Sequence, residues 1–284
     1  MTDLILDCVM DTLKTLPFLF VTYLLMEYIE HRTSDRTKGM IRRAGKWGPL
    51  LGGVLGLIPQ CGFSAAAASF FSGRVITLGT LLAVFLSTSD EMLPILISSQ
   101  APLGTIGRIL AMKAVIGILA GFLADFVFRK YNQRKIGSNI HSICEHEHCD
   151  CEHSIVKSAL RHTVSIALFI LAVTLALNII IGLIGEESLG SLILNWPVAG
   201  ELLAGLIGLI PNCASSVVIT TLYMEGAMSQ GAMMAGLLVG SGVGLLVLFR
   251  TNRNMKENLK ITAMLYVMGV AGGMAVGLLA RLAG

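Results

Sequence analysis

The sequence predicts an all-α polytopic membrane protein made of two inverted-topology repeats. Each half is expected to hold three crossing helices and one proline-broken re-entrant hairpin, which counts as ten helical elements in the whole chain. Three observations support this prediction: an apolar composition, a six-residue motif that occurs twice, and loop charges that reverse between the halves.

The composition is typical of a membrane protein. Of the 284 residues, 54% are hydrophobic and 14% are charged, and the mean hydropathy is +0.76. Soluble domains carry about 25% charged residues, and several apolar runs here approach the ~20 residues that cross a bilayer. A soluble α/β enzyme with an unusually apolar core is the alternative that these numbers disfavour. The start of the chain is acidic, with Lys14 as its one base, which argues against a cleavable signal peptide.

The repeated motif is Gly-Leu-Ile-Pro-Gln/Asn-Cys, found at residues 56–61 and 208–213. The two copies are 152 positions apart, and the same shift relates Ser64 to Ser216 and continues over most of the chain. Isolated leucine matches between two apolar segments mean little, but a shared motif in a constant register indicates a two-fold internal repeat.

Each half is predicted to contain four apolar segments in the same order: a first helix, a Gly-rich segment broken by proline, a third run and a fourth run. In the first half they cover about 12–30, 48–72, 75–98 and 104–128. In the second half they cover about 160–183, 200–224, 231–250 and 259–282. Proline removes a backbone donor and clashes with the preceding turn, so each broken segment is either a hairpin or a kinked crossing.

The loop charges favour the hairpin. Residues 31–46 carry six Lys and Arg, whereas the matching loop after the fifth apolar segment carries only acids. The pattern reverses after the third run, where 98–107 is uncharged before Arg108 and 250–260 carries four bases. Lys and Arg near membrane ends mark the cytoplasmic side. Opposite orientation of the halves requires an odd number of crossings in each, which three crossings plus a hairpin provide.

This topology divides the chain into three parts. They are a first membrane repeat at 1–128, a cytoplasmic His/Cys-rich linker at 129–158 and a second, inverted membrane repeat at 159–284. Both termini are then expected outside the cell.

The hairpin tips are the predicted binding site, because free backbone N–H and C=O groups at membrane depth are tolerated only in a cavity or inside protein. Helix N-termini at the tips also favour a bound anion or polar group. The alternative is that Pro and Cys only kink a buried helix. The predicted substrate-binding residues are Gln60, Cys61, Ser64, Ser87, Ser89, Asp90, Glu91, Asn212, Cys213, Ser215, Ser216 and Ser241.

Two adjacent acids lie within the third run of the first half. A carboxylate inside the membrane costs about 2.5–3.5 kcal/mol on insertion scales, so Asp90 and Glu91 indicate a cation or proton site. The alternative is that they cap the helix near the outer headgroups. The matching stretch 240–244 has no acid and is rich in glycine, so the site is expected to be asymmetric. Lys113 is either a counter-ion to these acids or extends to the membrane surface.

The linker contains seven Cys and His residues within thirteen positions, a density that suits Zn, Cu, Ni or Co ions. Its spacing matches no single finger motif, so a loose sensing or docking site and a solvated loop both stay open. The predicted metal ligands of the whole chain are Cys61, Cys213, Asp90, Glu91, His141, Cys144, His146, His148, Cys149, Cys151 and His153.

The repeated Leu-Ile-Pro-Gln/Asn-Cys segments, the Ser-Thr-Ser-Asp-Glu stretch at 87–91 and the His/Cys-rich linker together resemble a bacterial family. It is the family of ten-helix heavy-metal exporters, also labelled arsenic efflux or manganese transporters. The resemblance covers nearly the whole chain. It implies a multi-pass permease of the bacterial plasma membrane that moves a metal or metalloid out of the cell.

The residues support the possible substrates to different extents. A soft metalloid such as arsenite favours the thiolates of Cys61 and Cys213, whereas hard Mn²⁺ favours the carboxylates of Asp90 and Glu91. The absence of a Walker lysine motif indicates that an ion gradient, of protons or Na⁺, or a partner protein supplies the energy. No tightly bound cofactor and no nucleic acid partner are expected.

Two other functions compete with this prediction. A permease for a small anion or organic solute, held by the hairpin N-termini, stays an alternative. A membrane enzyme that uses the cysteine pair as a thiol–disulfide couple is disfavoured because the chain has no Cys-x-x-Cys motif. The prediction is therefore a transporter rather than an enzyme.

Overall fold

The structure is a computed structural model that describes residue 45, residues 47–89, 92–128, 155–184 and 199–283, and most residues between 9 and 25. The predicted acids Asp90 and Glu91 lie outside the described residues. So do all the predicted metal ligands of the linker and the boundaries of the linker with the two repeats.

The described residues are helical and contain no strand. Twelve helices follow one another along these parts of the chain, and their bounds are α1 Thr15–Leu25, α2 Gly48–Leu55, α3 Cys61–Ser72, α4 Leu78–Ser87, α5 Met92–Ser98, α6 Leu103–Val127, α7 Ile155–Ile184, α8 Ala199–Gly208, α9 Cys213–Met224, α10 Gln230–Val239, α11 Gly244–Thr251 and α12 Met255–Ala283.

Five segments of the described chain are long and apolar enough to cross a membrane, which confirms a polytopic membrane protein. They are Leu78–Ser98, Leu103–Val127, Ala159–Ala176, Gln230–Thr251 and Met255–Leu282. The segments that contain α4 and α10 are mostly buried inside the protein, whereas α6 and α12 expose large apolar side chains such as Leu119 and Leu279. The outer helices therefore present the surface that faces lipid, and the inner ones form the core.

The third run of each half differs from the prediction of one uninterrupted helix. In the first half α4 ends at Ser87 and α5 begins at Met92; in the second half α10 ends at Val239 and α11 begins at Gly244. The described residues thus form six helices in each half instead of five. At the first interruption Ser87 and Thr88 donate to carbonyls of the preceding turn, and Ser89 donates to the carbonyl of Leu57 outside the helix.

Glycine explains the second interruption. Gly242 has a φ of +53°, a left-handed conformation that glycine adopts without steric cost. Gly240 is the C-cap of α10 and has an extended backbone. The same register position is therefore opened in the two halves by different chemistry: by hydroxyl groups that bind carbonyls in one and by backbone freedom in the other.

Helices α2 and α4 lie side by side and run in the same direction. A Cβ added at Gly48 would lie 2.1 Å from the Thr80 hydroxyl, near the start of both helices, and one at Gly56 would lie 2.1 Å from the Ser87 hydroxyl, near their ends. Since only residues 73–77 join α3 to α4, α3 must run back toward the start of α2. Helices α2 and α3 therefore run in opposite directions around the break at Pro59.

The second half repeats this arrangement. Gly208, at the end of α8, contacts the backbone of Gly236 near the end of α10, while Gly231 at the start of α10 lies near Glu201 at the start of α8. Helices α8 and α10 are thus parallel, as α2 and α4 are. In both halves the fourth run, α6 or α12, packs antiparallel to this pair, as the contact of Gly231 with Gly277 illustrates for α12.

The helix ends match at the same 152-residue shift. Thr77 caps α4 by accepting from Thr80 N–H, and Ser229 caps α10 by accepting from Ala232 N–H. Helices α3 and α9 both end in a Schellman motif with a left-handed residue. That residue is Gly226 in the second half but Arg74, with a φ of +59°, in the first.

The two halves pack against each other through equivalent helices. Helix α3 contacts α11, its counterpart α9 contacts α5, and α4 and α10 contact each other near the centre. Polar pairs reinforce the contact at the end of α3, where Ser72 and Thr251 share a hydrogen bond of 2.7 Å. Beside them Arg74 donates to both carboxylate oxygens of Glu257 at 2.7 and 2.8 Å.

Candidate functional site

A small polar cavity lies where the two halves meet. Its volume is about 10 Å³, which is room for about one water molecule. Three interrupted places in the helices contribute to it: the break between α4 and α5, the N-terminus of α9, and the break between α10 and α11. The lining residues are Thr88, Ser89, Met92, Lys113, Asn212, Ser215, Ser216, Leu237, Gly240 and Gly242.

The second-half motif forms one wall. Asn212 has an extended backbone before α9 and is buried, and its side-chain oxygen accepts from Ala214 N–H at 3.5 Å. Ser215, one turn later, is buried and donates to the carbonyl of Asn212 at 2.8 Å. The cavity therefore receives hydroxyl and amide groups together with the positive end of the α9 dipole.

The interruption of α4 forms the facing wall. Ser89 is buried and its hydroxyl donates to the carbonyl of Leu57 at 2.7 Å, which ties the interruption to the proline-broken loop of the same half. Ser87 is also fully buried, but it donates back to Ala83 and does not line the cavity. Thus Ser89 lies in one cavity with Asn212, Ser215 and Ser216, three other residues of the predicted set.

Lys113 from α6 places an ammonium group at this cavity. Its exposed fraction is 1%, and Nζ donates to the carbonyl of Thr88 and, at 2.7 Å, to the carbonyl of Leu237. These carbonyls belong to the C-terminal ends of α4 and α10, which carry the negative ends of the helix dipoles. The side chain points inward and does not extend to the surface, and it connects the first half to the second.

Ser241 is buried beside this region with an exposed fraction of 1%, and its hydroxyl has no hydrogen-bond partner among the described residues. Its counterpart at the 152-residue shift, Ser89, has one. A buried hydroxyl without a partner costs about 1–3 kcal/mol. Such a group is suited to binding something that is brought into the site.

The first-half motif lies elsewhere. Gln60 precedes α3 in an extended conformation, and Cys61 begins α3 with a half-buried side chain packed against the core. Ser64 is fully buried, donates to the carbonyl of Cys61 at 2.8 Å and lies against Gly244 at the start of α11. These three residues do not line the cavity. Cys213 begins α9, but its side chain is outside the described residues.

Six lining residues were not among the residues predicted for the site: Thr88, Met92, Lys113, Leu237, Gly240 and Gly242. For Lys113, the sequence signal is a lysine inside an apolar run. Within the described part of the chain, no group of three or more His, Cys, Asp and Glu residues could hold a metal ion. The metal site predicted in the linker lies outside that part.

A comparison with family models places residues 1–185 in a family described as "Putative, 10TM heavy-metal exporter". No curated protein and no solved structure matches the chain.

Proposed function

The chain belongs to this family of ten-helix heavy-metal exporters, and we propose on that premise that it is a secondary transporter that exports a heavy-metal ion or metalloid. The observation that carries the proposal is the polar cavity between the halves, where three helix interruptions meet around Lys113. Substrate sites of transporters typically lie at such discontinuous helices between repeats. The chain is accordingly proposed to be a transporter and not an enzyme.

We propose that the two halves are inverted repeats. Support comes from the side on which equivalent helices lie. In the first half the last turn of α6 holds Asp125, which accepts a hydrogen bond from Gly79 N–H. Gly79 is five residues after Arg74, so α6 ends on the side of the protein where Arg74 lies. In the second half α12 begins at this same end, because Glu257 in its first turn binds Arg74. Equivalent helices thus enter from opposite ends.

We also propose that α2–α3 and α8–α9 are re-entrant hairpins. Helices α2 and α4 run in parallel, and each of α2 and α8 contains at most ten residues, or about 15 Å of helix. That length is half of the ~30 Å hydrocarbon core. Each hairpin tip would then lie near the middle of the membrane, at the depth of the polar cavity.

Transport would proceed by alternating access, with the halves rocking around the cavity. The contacts of Ser72 with Thr251 and of Arg74 with Glu257 hold the halves together at one end. The basic loops of the sequence support a cytoplasmic location for this end, with the termini outside, in a bacterial plasma membrane. The described conformation would therefore be closed toward the cytoplasm. A proton or Na⁺ gradient is the proposed energy source.

The cargo is proposed to bind at the cavity and at the residues beside it. In a second conformation that brings Cys61 to the cavity, Cys61 and Cys213 would supply thiolates to a soft ion, and Asp90 and Glu91 would supply carboxylates to a hard one. The linker cluster is proposed to collect Zn, Cu, Ni or Co ions on the cytoplasmic side before export.

The test is a growth screen over many metal ions and metalloids, followed by transport with the purified full chain in liposomes. The Cys61→Ala, Cys213→Ala double variant should lose tolerance and accumulate the exported ion, whereas the control Cys8→Ala should not. Unchanged tolerance and unchanged cell metal content in the double variant would exclude a role for these thiols.

A second candidate function is a permease for a small anion or organic solute, and the burial of Lys113 at the cavity favours it. A fixed ammonium beside the N-terminus of α9 attracts negative charge and opposes a bare cation. Asp90→Asn separates the two candidates. It should abolish transport of a metal cation but leave transport of an anion unchanged.

A further inference from the structure

Glu201 is a buried acid in the first turn of α8. Its exposed fraction is 5%, and Oε2 has no hydrogen-bond partner in the part of the chain that the structure describes. Oε1 is packed against two glycines: a Cβ added at Gly231 would lie 2.9 Å from it, and one at Gly277 would lie 3.4 Å from it. Buried carboxylates are normally paired or hydrogen-bonded, because an isolated charge in the protein interior is costly. An acid in this position inside a membrane protein therefore indicates a functional group.

The first half also holds a carboxylate at the equivalent place, but there it has hydrogen-bond donors. Asp125 of α6 lies at the start of α4, where it accepts from Gly79 N–H at 2.8 Å and from the N-cap hydroxyl of α4 at 2.7 Å. At the 152-residue shift Gly79 corresponds to Gly231, and Asp125 corresponds to Gly277. The second half thus lacks the acid on its fourth run and supplies one from α8 instead, and Oε2 of that acid has no donor.

The start of α10 offers the same kinds of donor that Asp125 uses in the first half. Ser229 is the N-cap and carries a hydroxyl, and Gly231 is the second residue of the helix. The first four N–H groups of a helix have no partner within it. A small shift of α8 along α10 would let the Glu201 carboxylate accept from these groups. Such hydrogen bonds stabilise an ionised carboxylate, so Glu201 has one environment suited to the carboxylic acid and another, close by, suited to the carboxylate.

Among the described residues, no basic group forms an ion pair with Glu201. Helix α8 packs mainly against α9, α10 and α12. Helices α9 and α10 contain no charged residue, and Glu225, which follows α9, is exposed. Arg281, near the end of α12, is also exposed, and the phenol of Tyr266 donates to a backbone carbonyl of α8 at 3.1 Å. A cation brought in from outside is therefore needed to neutralise the acid.

Glu201 lies at the base of the α8–α9 helix pair, and the other end of that pair lines the polar cavity. Gly277, beside Glu201, follows Glu257 by twenty residues on α12, which is about 30 Å along the helix. The acid is therefore at the opposite end of the protein from the ion pair that Glu257 forms. At the base of the first pair, α2–α3, the equivalent residue is Pro49, which has no ionisable group.

We propose that Glu201 binds and releases the coupling proton. In the described conformation it is a carboxylic acid packed against the two glycines. When α8 shifts along α10, the O–H bond breaks, the proton passes to water at this end of the protein, and the carboxylate accepts from Gly231 N–H. Because the far end of the same helix pair lines the cavity, proton exchange moves residues that contact the cargo. A proton suits this place better than Na⁺, since a metal cation needs several oxygen ligands around it. The inference rests on the proposed function only in naming the proton as the coupling ion.

Infrared spectroscopy tests the protonation of Glu201 without any cargo. A protonated carboxyl group that lacks hydrogen bonds absorbs at a higher frequency than one bonded to water, because hydrogen bonding weakens its C=O bond. The full-length protein in liposomes should show such a high-frequency band and lose it as the pH is raised. Glu201→Gln should lack the band at every pH, whereas the exposed control Glu225→Gln should keep it. A band that persists in Glu201→Gln would overturn the proposal.

Spin labels measure the movement of α8. They are attached at Leu206→Cys on α8 and Val267→Cys on α12, both exposed positions, in a chain whose native cysteines are replaced. The distance between the labels should change over the pH range in which the band disappears, and Glu201→Gln should hold the low-pH distance throughout. The matched control is the pair Val54→Cys and Val115→Cys, which are exposed and equivalent at the 152-residue shift. Its distance should not depend on pH.

Three other outcomes are decisive. If added Na⁺ changes the distance on the second half at constant pH and a change of pH does not, the site binds Na⁺ and the proposal is wrong. If the band belongs to Glu201 but the distance does not respond to pH, the acid has only a structural role, which also overturns the proposal. If band and distance both respond while no metal ion or metalloid is exported, Glu201 is a proton site and the proposed cargo alone is wrong.

Discussion

The ion pair between Arg74 and Glu257 predicts a conformational switch that can be tested by removing one charge. Its two hydrogen bonds measure 2.7 and 2.8 Å, and only 7% and 6% of the two side chains are exposed. The guanidinium also lies over the ring of Phe71 at 5.1 Å. Glu257→Gln keeps the shape of the side chain and leaves a buried cation without its counter-charge.

The size of the effect follows from this burial. Removing one partner of a buried ion pair costs about 3–5 kcal/mol, which corresponds to roughly 10²–10⁴ in an equilibrium constant. The described conformation also contains Arg74 with a left-handed backbone, which is disfavoured by about 1–2 kcal/mol in a residue with a side chain. At the matched position Gly226 avoids this cost. The ion pair therefore stabilises a conformation that the backbone at Arg74 would otherwise disfavour.

Disulfide trapping measures the switch. Ser72→Cys and Thr251→Cys, whose hydroxyls are 2.7 Å apart, should form a disulfide rapidly when the other cysteines are replaced. Adding Glu257→Gln should slow this reaction by at least tenfold and lower the melting temperature of the detergent-purified protein. The exposed neighbour Lys256→Gln should change neither, because isolated surface substitutions alter stability by less than about 0.5 kcal/mol.

The charge-swapped variant Arg74→Glu, Glu257→Arg serves as the rescue. It should restore part of the trapping rate, since opposite charges again face each other. If Glu257→Gln traps as fast as the parent and melts at the same temperature, the ion pair does not hold the halves together. The proposed closure of this end would then be wrong.

Three further outcomes are expected. Lys113→Met should reduce transport at least tenfold while helix content by circular dichroism is unchanged, because the ammonium joins carbonyls of the two halves; full transport would contradict this. Gly79→Ala should destabilise the protein by more than about 2 kcal/mol in thermal melts, because the added Cβ would lie 2.1 Å from the carbonyl oxygen of Gly121. The control Gly104→Ala meets no atom within 4 Å and should stabilise α6 by about 1 kcal/mol. Asp125→Asn weakens the acceptor for Gly79 N–H at 2.8 Å and should cost about 0.5–2 kcal/mol in the same assay; no change would show that this cap does not contribute.

The membrane fold could be predicted from the sequence because its signals are local. Apolar runs of sufficient length and the break at Pro59 depend on nearby residues alone, and the described helices α2 and α3 flank that proline as expected. The interruption after Ser87 was harder to predict, because serine and threonine can bind carbonyls of their own helix and keep it intact. Whether they open it depends on a partner far along the chain, here the carbonyl of Leu57 for Ser89.

The lining of the cavity overlaps only in part with the residues selected from the sequence, for a related reason. Asn212 and Ser215 were selected from the repeated motif, and they do line the cavity with Ser89. The motif alone suggested that its first copy lies there too, but Cys61 packs against the core and does not line the cavity. The position of Lys113 depends on carbonyls supplied by two other helices, so its sequence neighbours leave an inward and an outward orientation equally open.

The size of the polar cavity has a consequence for selectivity. With about 10 Å³ of space, the cavity cannot accept an ion together with its shell of water molecules. Whatever enters this conformation must first exchange nearly all of that water for hydroxyls, amides and carbonyls of the protein. If this cavity is the proposed substrate site, dehydration would be the step that discriminates between cargoes, and small, strongly hydrated cations such as Mg²⁺ would be rejected by the water they retain.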